Sequence, residues 1–295
     1  MESRKNGPFR YSPINRRPKL SWPGGAQVAL WVVPNIEIFY LDEPLPSDTA
    51  DRTVRALPMV REWSQRAYGN RVGIFRIMEV LAKHGIRATA ALNSDVCEIH
   101  PEIIEDAVRL QWEFMGHGRT NSQYLTDAGV GDERKAISDC LDTIAKATGK
   151  RPTGWLGPGL QESWDTLSHL VAERCDYVAD WVADDQPFNM EVAGGSIVSI
   201  PYSYNANDGP VIRHAKQSPL EFERILRDTF DVLYSEGAQS GRVMAVCVHP
   251  FVMGQAHRIA ALDRALAYIT GHDKVWKATG SEIVSCFRKQ MKCGS

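Results

Sequence analysis

The feature that most constrains the fold is an alternation of short apolar runs with segments of helical period, beginning near residue 26. The runs have the length of strands, and they are apolar throughout rather than at every second position. Both faces of each strand are therefore expected to be buried, which predicts a parallel sheet covered by helices. The predicted strands are residues 27–33, 88–92, 112–116, 153–156, 177–181, 197–202, 243–248 and 275–278.

The segments between these strands have the spacing of amphipathic helices. Ser218 followed by Glu221 has the pattern of a capping box, and Gly149 lies where a left-handed residue would end a helix. The predicted helices are residues 71–83, 101–110, 132–147, 162–173, 219–235, 256–270 and 281–291. About seven or eight strand–helix units favour a closed barrel over an open sheet, so we predict an α/β fold with a (β/α) barrel. One domain spanning residues 1–295 is expected, with an irregular N-terminal arm at 1–20 and an insertion at 40–68.

Composition and charge argue against several classes of partner. The 295 residues are 43% hydrophobic and 24% charged, which is ordinary for a folded protein. The formal charge is -2, and no lysine or arginine block is present beyond the short Arg16-Arg17, so neither nucleic acid nor an anionic membrane is an expected partner. No stretch has the roughly 18 apolar residues of a membrane span, and the polar N-terminal segment lacks the apolar core of a signal peptide. These features predict a cytoplasmic protein whose partner is a small molecule or another copy of the chain.

The six cysteines show no CxxC spacing. They are Cys97, Cys140, Cys175, Cys247, Cys286 and Cys293. This scatter is typical of reduced thiols rather than of a disulfide framework or a zinc knot. Cys247 lies inside an apolar run and is expected to be a small core residue.

Polar side chains collect where the predicted strands end. They are Asn35, Glu37, Asn93, Asp95, His117, Asn121, Asp180, Asp184, Asp185, Tyr202, Asn205, Asn207, Asp208 and His249. In a (β/α) barrel the carboxyl ends of the strands meet at one rim, where active sites are built. The sequence therefore predicts an active site at this rim.

His249 and Glu37 are the candidates for acid–base chemistry. His249 ends an apolar run and precedes Pro250, which cannot continue the strand, so its imidazole is expected at the rim. There it could protonate a leaving nitrogen or stabilise an oxyanion, although a strand-end histidine can also be structural. Glu37 lies between two isoleucines, where an apolar setting would raise its pKa towards that of a useful base. The alternative for Glu37 is a salt bridge to an arginine.

His117 is the candidate for a metal ligand. It lies between two glycines, which would let a substrate or an ion approach the backbone, and Asn121 follows four residues later. A zinc site usually needs three charged or imidazole ligands, and an amide oxygen is a poor substitute. Because His117 is the only strong candidate ligand besides Glu37, the metal site stays open. No cofactor is assigned, and a divalent metal such as zinc remains an alternative.

The remaining candidates are assigned to substrate binding. The turn from Gly157 to Gly159 is suited to presenting backbone N–H groups to a carbonyl oxygen. Asp180 or Asp185 could orient a histidine or an arginine, with a solvated acidic loop as the alternative. Three aromatic residues are expected to form flat pocket walls, and His257 lies near the rim. The full predicted set is Asn35, Asn121, Trp155, Gly157, Gly159, Asp180, Trp181, Asp185, Phe251 and His257.

Taken in order, several segments resemble the polysaccharide deacetylase superfamily in its allantoinase-like branch, and they also resemble cyclic-imide hydrolases. The resemblance covers roughly residues 22–290 and rests on residues 35–37, 68–74, 113–122, 155–159, 180–187 and 249–255. It implies a distorted (β/α)7-type barrel and an amidohydrolase that breaks a carbon–nitrogen amide bond. It also implies a homo-oligomer, either a dimer or a tetramer.

The chain departs from the metal-dependent members of this superfamily at two ligand positions. In those members the first motif ends in two adjacent aspartates, a base and a ligand, and the second motif has two histidines four residues apart. Here Glu37 corresponds to the base, Ile38 occupies the ligand position, and Asn121 replaces the second histidine. Allantoinase-like members resemble this chain in having lost the same ligands, and the resemblance implies catalysis without a bound metal.

The expected function is therefore hydrolysis of a carbon–nitrogen bond in a small cyclic amide, such as an imide or a ureide like allantoin. Glu37 would activate water, His249 would protonate the departing nitrogen, and His117 with the backbone of residues 157–159 would hold the carbonyl oxygen. Two alternatives remain. One is a metal-dependent deacetylase of N-acetylated sugars or peptidoglycan, and the other is a non-catalytic binding protein on the same fold.

Overall fold

The strands form one curved sheet in the computed structural model, which describes residues 7–45, 57–126 and 131–293. They are β1 (Val28–Ile36), β2 (Thr89–Leu92), β3 (Glu113–Gly116), β4 (Gly154–Trp155), β5 (Tyr177–Val178), β6 (Phe188–Val192), β7 (Gly195–Ser199), β8 (Arg242–Val248) and β9 (Val275–Lys277). Their order is β6-β7-β5-β4-β3-β2-β1-β8, and β9 pairs with β1. Each pairing is parallel except that of β6 with β7. The predicted distorted (β/α) barrel is confirmed.

Helices follow most of the strands. They are α1 (Val60–Tyr68), α2 (Ile74–Lys83), α3 (Val96–Ile99), α4 (Pro101–Arg109), α5 (Glu133–Thr148), α6 (Thr166–Ala172), α7 (Pro219–Gly237), α8 (Pro250–Met253), α9 (Ile259–Thr270) and α10 (Gly280–Cys293). The predicted cap of α7 is confirmed, because the Ser218 hydroxyl accepts a hydrogen bond from the Glu221 N–H at 3.2 Å. Gly149 ends α5 in the left-handed conformation, with φ 76°.

The sheet separates two apolar clusters. Along β1, Val28 and Leu30 face the helices, whereas Ala29 and Trp31 face the interior of the barrel. Every residue of β1 is buried, as the unbroken apolar run predicted. Burial of one large aliphatic side chain contributes about 1.5–3 kcal/mol, so the two clusters together fix the position of β1 and of the residues that follow it.

The largest difference from the predicted elements is the antiparallel hairpin of β6 and β7. The sequence predicted a strand at 197–202 and none at 188–192, because the β6 segment mixes exposed and buried residues and lacks an apolar run. The hairpin lies at one edge of the sheet, where Pro8 of the N-terminal arm accepts a hydrogen bond from the Glu191 N–H at 2.9 Å. The arm therefore covers this edge.

Two loop segments bridge the gap between β7 and β8. The Cys247 N–H donates to the Ala206 carbonyl at 3.0 Å, and Asn207 forms an isolated parallel bridge with Cys247. Nearer the start of β8, the Val243 N–H donates to the Asp185 carbonyl at 2.9 Å. The first of these bridges brings residues 206–208 to the end of β8, beside His249.

Part of the predicted insertion at 40–68 has a regular structure. Residues 60–68 form α1, and residues 46–56 lie outside the described part of the chain. The Trp63 indole N–H of α1 donates to the Phe39 carbonyl at 2.9 Å, so α1 packs over the segment that follows β1. Among the described residues, no helix is long and apolar enough to cross a membrane.

Candidate active site

Glu37 lies at the centre of a cluster of titratable side chains. It follows directly after β1, and its Oε1 is 3.5 Å from His117 Nε2 and 3.6 Å from His249 Nε2. Glu37 is 9% exposed and His117 is 2% exposed. The carboxyl ends of β1, β3 and β8 thus bring together the three residues that the sequence predicted to be catalytic.

The pKa of Glu37 is lower than its usual value of 4.5. Burial alone would raise it, but the charge of His249 stabilises the carboxylate, and the nearby His117 and the charge of Arg66 act in the same direction. The prediction that an apolar setting raises this pKa is wrong, because the sequence could not show that two imidazoles converge on the carboxylate. Glu37 is therefore ionised near neutral pH.

His249 is paired on its other side with Asp208. The His249 Nδ1 lies 2.6 Å from Asp208 Oδ1, and the His249 backbone N–H also donates to this carboxylate at 2.8 Å. Burial lowers the pKa of His249, but the charges of Asp208 and Glu37 outweigh burial and raise it above its usual 6.5. The raised pKa favours the imidazolium, whose Nε2–H faces Glu37. His249 therefore has the protonation state of a general acid.

Asp208 is a site residue that the sequence did not assign. It is fully buried, although it lies in a polar loop, and the bridge between Asn207 and Cys247 places it beside His249. Gly209 permits this approach, since a side chain there would lie 3.3 Å from the His249 ring. The sequence showed only that an aspartate follows shortly after a predicted strand. That position does not reveal that its partner is His249.

His117 offers its second nitrogen to the site as an acceptor when the ring is neutral. Its Nδ1 lies 2.6 Å from the Leu156 carbonyl, and a carbonyl oxygen only accepts, so Nδ1 carries a proton. Its Nε2 is buried without a hydrogen-bond partner among the described residues. In the neutral ring, Nε2 presents a lone pair towards Glu37. The sequence predicted that His117 helps to hold the carbonyl oxygen of the substrate. In this arrangement Nε2 can donate a hydrogen bond to that oxygen only when the ring is an imidazolium.

The residues beside His117 do not fit a zinc site. Asn121 Oδ1 accepts a hydrogen bond from Asn93 Nδ2 at 3.0 Å, and its backbone N–H donates to the Ile38 carbonyl at 3.0 Å. The Ile38 side chain has no donor atom. Within the described ranges, no three His, Cys, Asp or Glu residues are grouped to hold a metal ion. Asn121 thus joins two loops, and its contact with substrate stays a prediction.

Asn35 supports the loop that carries Asp208. Its Oδ1 accepts a hydrogen bond from the Tyr202 hydroxyl at 3.2 Å, and that hydroxyl accepts one from Asn207 Nδ2 at 3.3 Å. All three residues are buried. Asn35 Oδ1 therefore faces this network and Nδ2 faces the carbonyls of Val33 and Val248, whereas the sequence predicted that Asn35 contacts the substrate.

The glycine turn after β4 has one of its N–H groups occupied. The Gly157 N–H donates to Asp180 Oδ1 at 2.7 Å, so its predicted role as a donor to the substrate carbonyl is wrong. Gly159 is exposed and left-handed, with φ 67°, and its contact with substrate stays a prediction. Asp180 is buried two residues after β5, and no histidine or arginine of the described ranges forms a hydrogen bond or an ion pair with it.

Of the three predicted aromatic walls, Phe251 lies in the site. Its ring is 5.6 Å from the His249 ring, between centroids. Trp155 is fully buried on the helix side of the sheet, because Leu156, the next residue, faces the barrel interior. Its predicted role as a pocket wall is therefore wrong. Trp181 is partly buried, and its indole N–H donates to Glu162 at 3.0 Å.

Two further predicted site residues lie on the surface. Asp185 is exposed, and its carbonyl binds the N–H of Val243 at the start of β8, whereas His249 follows the end of this strand. Six residues of strand span about 20 Å, so Asp185 does not belong to the site. His257 is exposed, and its assignment to the pocket stays a prediction.

A cavity of about 430 Å³ borders Glu37, and neither His117 nor His249 is among the residues that line it. It lies between the segment after β1 and α1, and it is lined by Glu37, Phe39, Tyr40, Trp63, Arg66 and His100 among others. The Arg66 guanidinium lies 4.7 Å from the Phe39 ring centroid. The sequence did not assign Arg66 or α1 to the site, because this stretch has no strand–helix pattern of the kind found elsewhere in the chain.

Comparisons with known proteins agree with this architecture. Residues 68–179 match the family model described as polysaccharide deacetylase. The structure of a probable polysaccharide deacetylase from Pseudomonas aeruginosa PAO1 superposes with a TM-score of 0.85, at 26% identity, over 94% of this chain and 96% of that chain. The structure of the Puue allantoinase superposes with a TM-score of 0.82, at 26% identity, over 92% of this chain and 94% of that chain.

A similar sequence is the peptidoglycan deacetylase of Helicobacter pylori. It is 22% identical over 77% of this chain and 87% of its own length. The family model and the two structures therefore agree with one another. Residues 68–179 thus match the polysaccharide deacetylase family, and the chain is similar over most of its length to structures of that superfamily.

Proposed function

We propose that this protein hydrolyses a carbon–nitrogen amide bond in a small cyclic amide, such as an imide or a ureide. The observation that carries the proposal is the position of Glu37 Oε1, 3.5 Å from His117 Nε2 and 3.6 Å from His249 Nε2. At this separation, an anionic base and a cationic acid can serve two steps of the same hydrolysis: the base assists the attack of water, and the acid protonates the departing nitrogen.

Glu37 is the general base in this proposal, and His249 is the general acid. The Glu37 carboxylate takes a proton from water as the oxygen attacks the carbonyl carbon. The His249 imidazolium then gives its Nε2 proton to the nitrogen as the carbon–nitrogen bond breaks. The ring opens to a carboxylic acid and an amine or amide within one product. Each proton transfer contributes about 10²- to 10⁴-fold to the rate.

His117 orients the attacking water. Its neutral Nε2 and the Glu37 carboxylate are two acceptors 3.5 Å apart, so one water can donate a hydrogen to each. The lone pair of that water is then free to attack a carbonyl carbon. This role differs from the one expected from sequence, because Nδ1 donates to Leu156 and leaves Nε2 as an acceptor.

The donor atoms around Glu37 favour a cyclic amide over an N-acetylated sugar. Ile38 and Asn121 stand where a metal-dependent deacetylase needs ligands, and the Asn121 oxygen is engaged by Asn93. These two residues are therefore the ground for preferring a cyclic amide. The similarity to the Puue allantoinase extends over 92% of this chain and also supports it.

Deacetylation of N-acetylated sugars or peptidoglycan is the second candidate. The family model and the peptidoglycan deacetylase of Helicobacter pylori favour it. This reaction would release acetate, and a metal-dependent form would need a ligand set that the chain does not supply at residues 38 and 121. Acetate release that is lost on adding a chelator would support this candidate.

The deciding experiment is a hydrolysis screen of cyclic imides, ureides including allantoin, and N-acetylated sugars, with and without a chelator. Ring opening of a cyclic amide is expected, at a rate that the chelator leaves unchanged. Glu37→Gln and His249→Ala are each expected to lower kcat by about 10²- to 10⁴-fold. His214→Ala, an exposed histidine, and Glu102→Gln, an exposed glutamate, are the matched controls. Equal turnover by the parent and by both site variants would overturn the assignment.

A further inference from the structure

One peptide group connects His117 to Asp180. The carbonyl of Leu156 accepts from His117 Nδ1 at 2.6 Å, and the N–H of the next residue, Gly157, donates to Asp180 Oδ1 at 2.7 Å. These two atoms belong to the same peptide unit. Because the C=O and N–H of a trans peptide point in opposite directions, the unit lies between the imidazole on one side and the carboxyl on the other.

The orientation of this peptide determines which nitrogen of His117 carries the proton. In the observed orientation a carbonyl oxygen faces Nδ1, so Nδ1 must donate and a neutral ring leaves Nε2 unprotonated. If the peptide rotated by half a turn, its N–H would face Nδ1 and its carbonyl would face Asp180 Oδ1. The neutral ring would then carry its proton on Nε2, facing Glu37.

Asp180 opposes that rotation because its Oδ1 would lose the Gly157 N–H donor and would face a carbonyl oxygen instead. Glycine offers little steric resistance to a change of backbone dihedral angles, so the chain at Gly157 does not hold the peptide by itself. A side chain at this position is excluded by the approach of Asp180, since a Cβ on Gly157 would lie 3.1 Å from Asp180 Oδ2 and 2.8 Å from the Gln161 carbonyl. The glycine is needed for the carboxyl to reach the backbone.

The second oxygen of Asp180 faces another carboxyl group. Asp180 Oδ2 is buried and accepts no hydrogen bond among the described residues, and Glu162, which takes the Trp181 indole N–H at 3.0 Å, is its neighbour. Burial and the charge of Glu162 raise the pKa of Asp180 well above its usual value, and burial raises the pKa of Glu162 to about 7. If the two carboxyl groups share one proton, it can lie on Asp180 Oδ2 facing Glu162, and Oδ1 then remains an acceptor for the Gly157 N–H.

We propose that Asp180 is a positioning residue that acts on His117 through the Leu156–Gly157 peptide. It holds the peptide so that Nδ1 of His117 is the protonated nitrogen and Nε2 faces Glu37 as an acceptor. Asp180 touches neither Glu37 nor the attacking water. The catalytic consequence rests on the proposed function, whereas the tautomer of His117 is a property of the protein without substrate.

The test compares three substitutions by the two-bond ¹H–¹⁵N spectrum of the His117 ring in substrate-free protein and by steady-state kinetics. Asp180→Asn keeps an oxygen that accepts from the Gly157 N–H and a donor that faces Glu162, so the hydrogen-bond pattern is conserved. This variant is therefore expected to retain the Nδ1–H tautomer of His117, with kcat within about threefold of the parent value. Asp180→Ala is expected to populate the Nε2–H tautomer and to lower kcat about 10²-fold, with KM within about threefold. Glu162→Gln leaves the bond to Gly157 intact and is expected to behave like Asp180→Asn.

The proposal is overturned if Asp180→Ala keeps His117 in the Nδ1–H tautomer, whatever its activity. If Asp180→Ala does not fold, Asp180→Ser replaces it, since a serine hydroxyl is too short to span the bond to the Gly157 N–H. If no cyclic amide is hydrolysed, the ¹H–¹⁵N spectrum of His117 alone tests the positioning role of Asp180. A changed tautomer without any turnover would support the positioning role and would count only against the proposed function.

Discussion

At the scale of single residues, the site is organised by charge. Glu37 and His249 face each other, and their pKa values move in opposite directions because each stabilises the ionised form of the other. Asp208 adds to the effect on His249 from the opposite side of the ring, through a contact of 2.6 Å. The pair is therefore ionised over a pH range wider than the usual values of 4.5 and 6.5 would allow.

The pH dependence of kcat/KM follows from these directions. Activity is expected to rise as Glu37 loses its proton, below pH 4.5, and to fall as His249 loses its proton, above pH 6.5. Asp208→Asn removes the charge that raises the pKa of His249, so the alkaline limb should move to lower pH while the acidic limb stays. Kinetics across pH measure both limbs, and Asp228→Asn, an exposed aspartate, is the control. An unmoved alkaline limb would show that another group titrates there.

The sequence predicted the three central residues for a physical reason. Parallel strands converge at their carboxyl ends, so the polar residues that end β1, β3 and β8 had to lie near each other. Predictions failed where a side chain's direction or a loop's path decided the outcome. Trp155 and Leu156 point to opposite sides of the sheet, and the sequence could not show which one faces inward. Asp208 reaches His249 only because a loop bridges β8, which no local pattern indicates.

At the scale of structural elements, the loop between β7 and α7 holds the site together. Tyr202 joins Asn35 of β1 to Asn207 of this loop through hydrogen bonds of 3.2 Å and 3.3 Å. The bridge from Asn207 to Cys247 continues the connection to β8. The position of Asp208 thus depends on contacts with two neighbouring strands that carry Glu37 and His249.

Removal of the Tyr202 hydroxyl is expected to weaken this connection. Tyr202→Phe leaves Asn35 Oδ1 and Asn207 Nδ2 buried with one partner fewer, which should lower the free energy of unfolding by about 1–3 kcal/mol. The value of kcat should also fall, because Asp208 is held less firmly beside His249. Tyr204→Phe is the matched control, since Tyr204 lies in the same loop and is 53% exposed. Chemical denaturation and steady-state kinetics measure the two effects, and equal results for both variants would contradict this role of Tyr202.

At the scale of the whole molecule, the two ends of the barrel have different tasks. The carboxyl ends of the strands carry the candidate active site, whereas the N-terminal arm and residues 184–186 close the molecule near the start of β8. Arg17 of the arm binds Asp184 with both guanidinium NH groups, at 2.7 Å and 2.5 Å. Asp184 and Asp185 were grouped with the rim because they follow a predicted strand, but their loop runs along the gap between β7 and β8.

This division predicts that stability and activity separate when the arm is loosened. Arg17→Ala removes a two-point ion pair whose side chains are 18% and 12% exposed, so the free energy of unfolding should fall by about 1–3 kcal/mol. The value of kcat/KM should stay unchanged, because Glu37 and His249 lie at the other end of β1 and β8. Arg16→Ala, one residue earlier and exposed, should change neither quantity. If Arg17→Ala lowers kcat/KM in protein that is still fully folded, the arm and the rim are coupled, and residues 184–186 belong to the functional site after all.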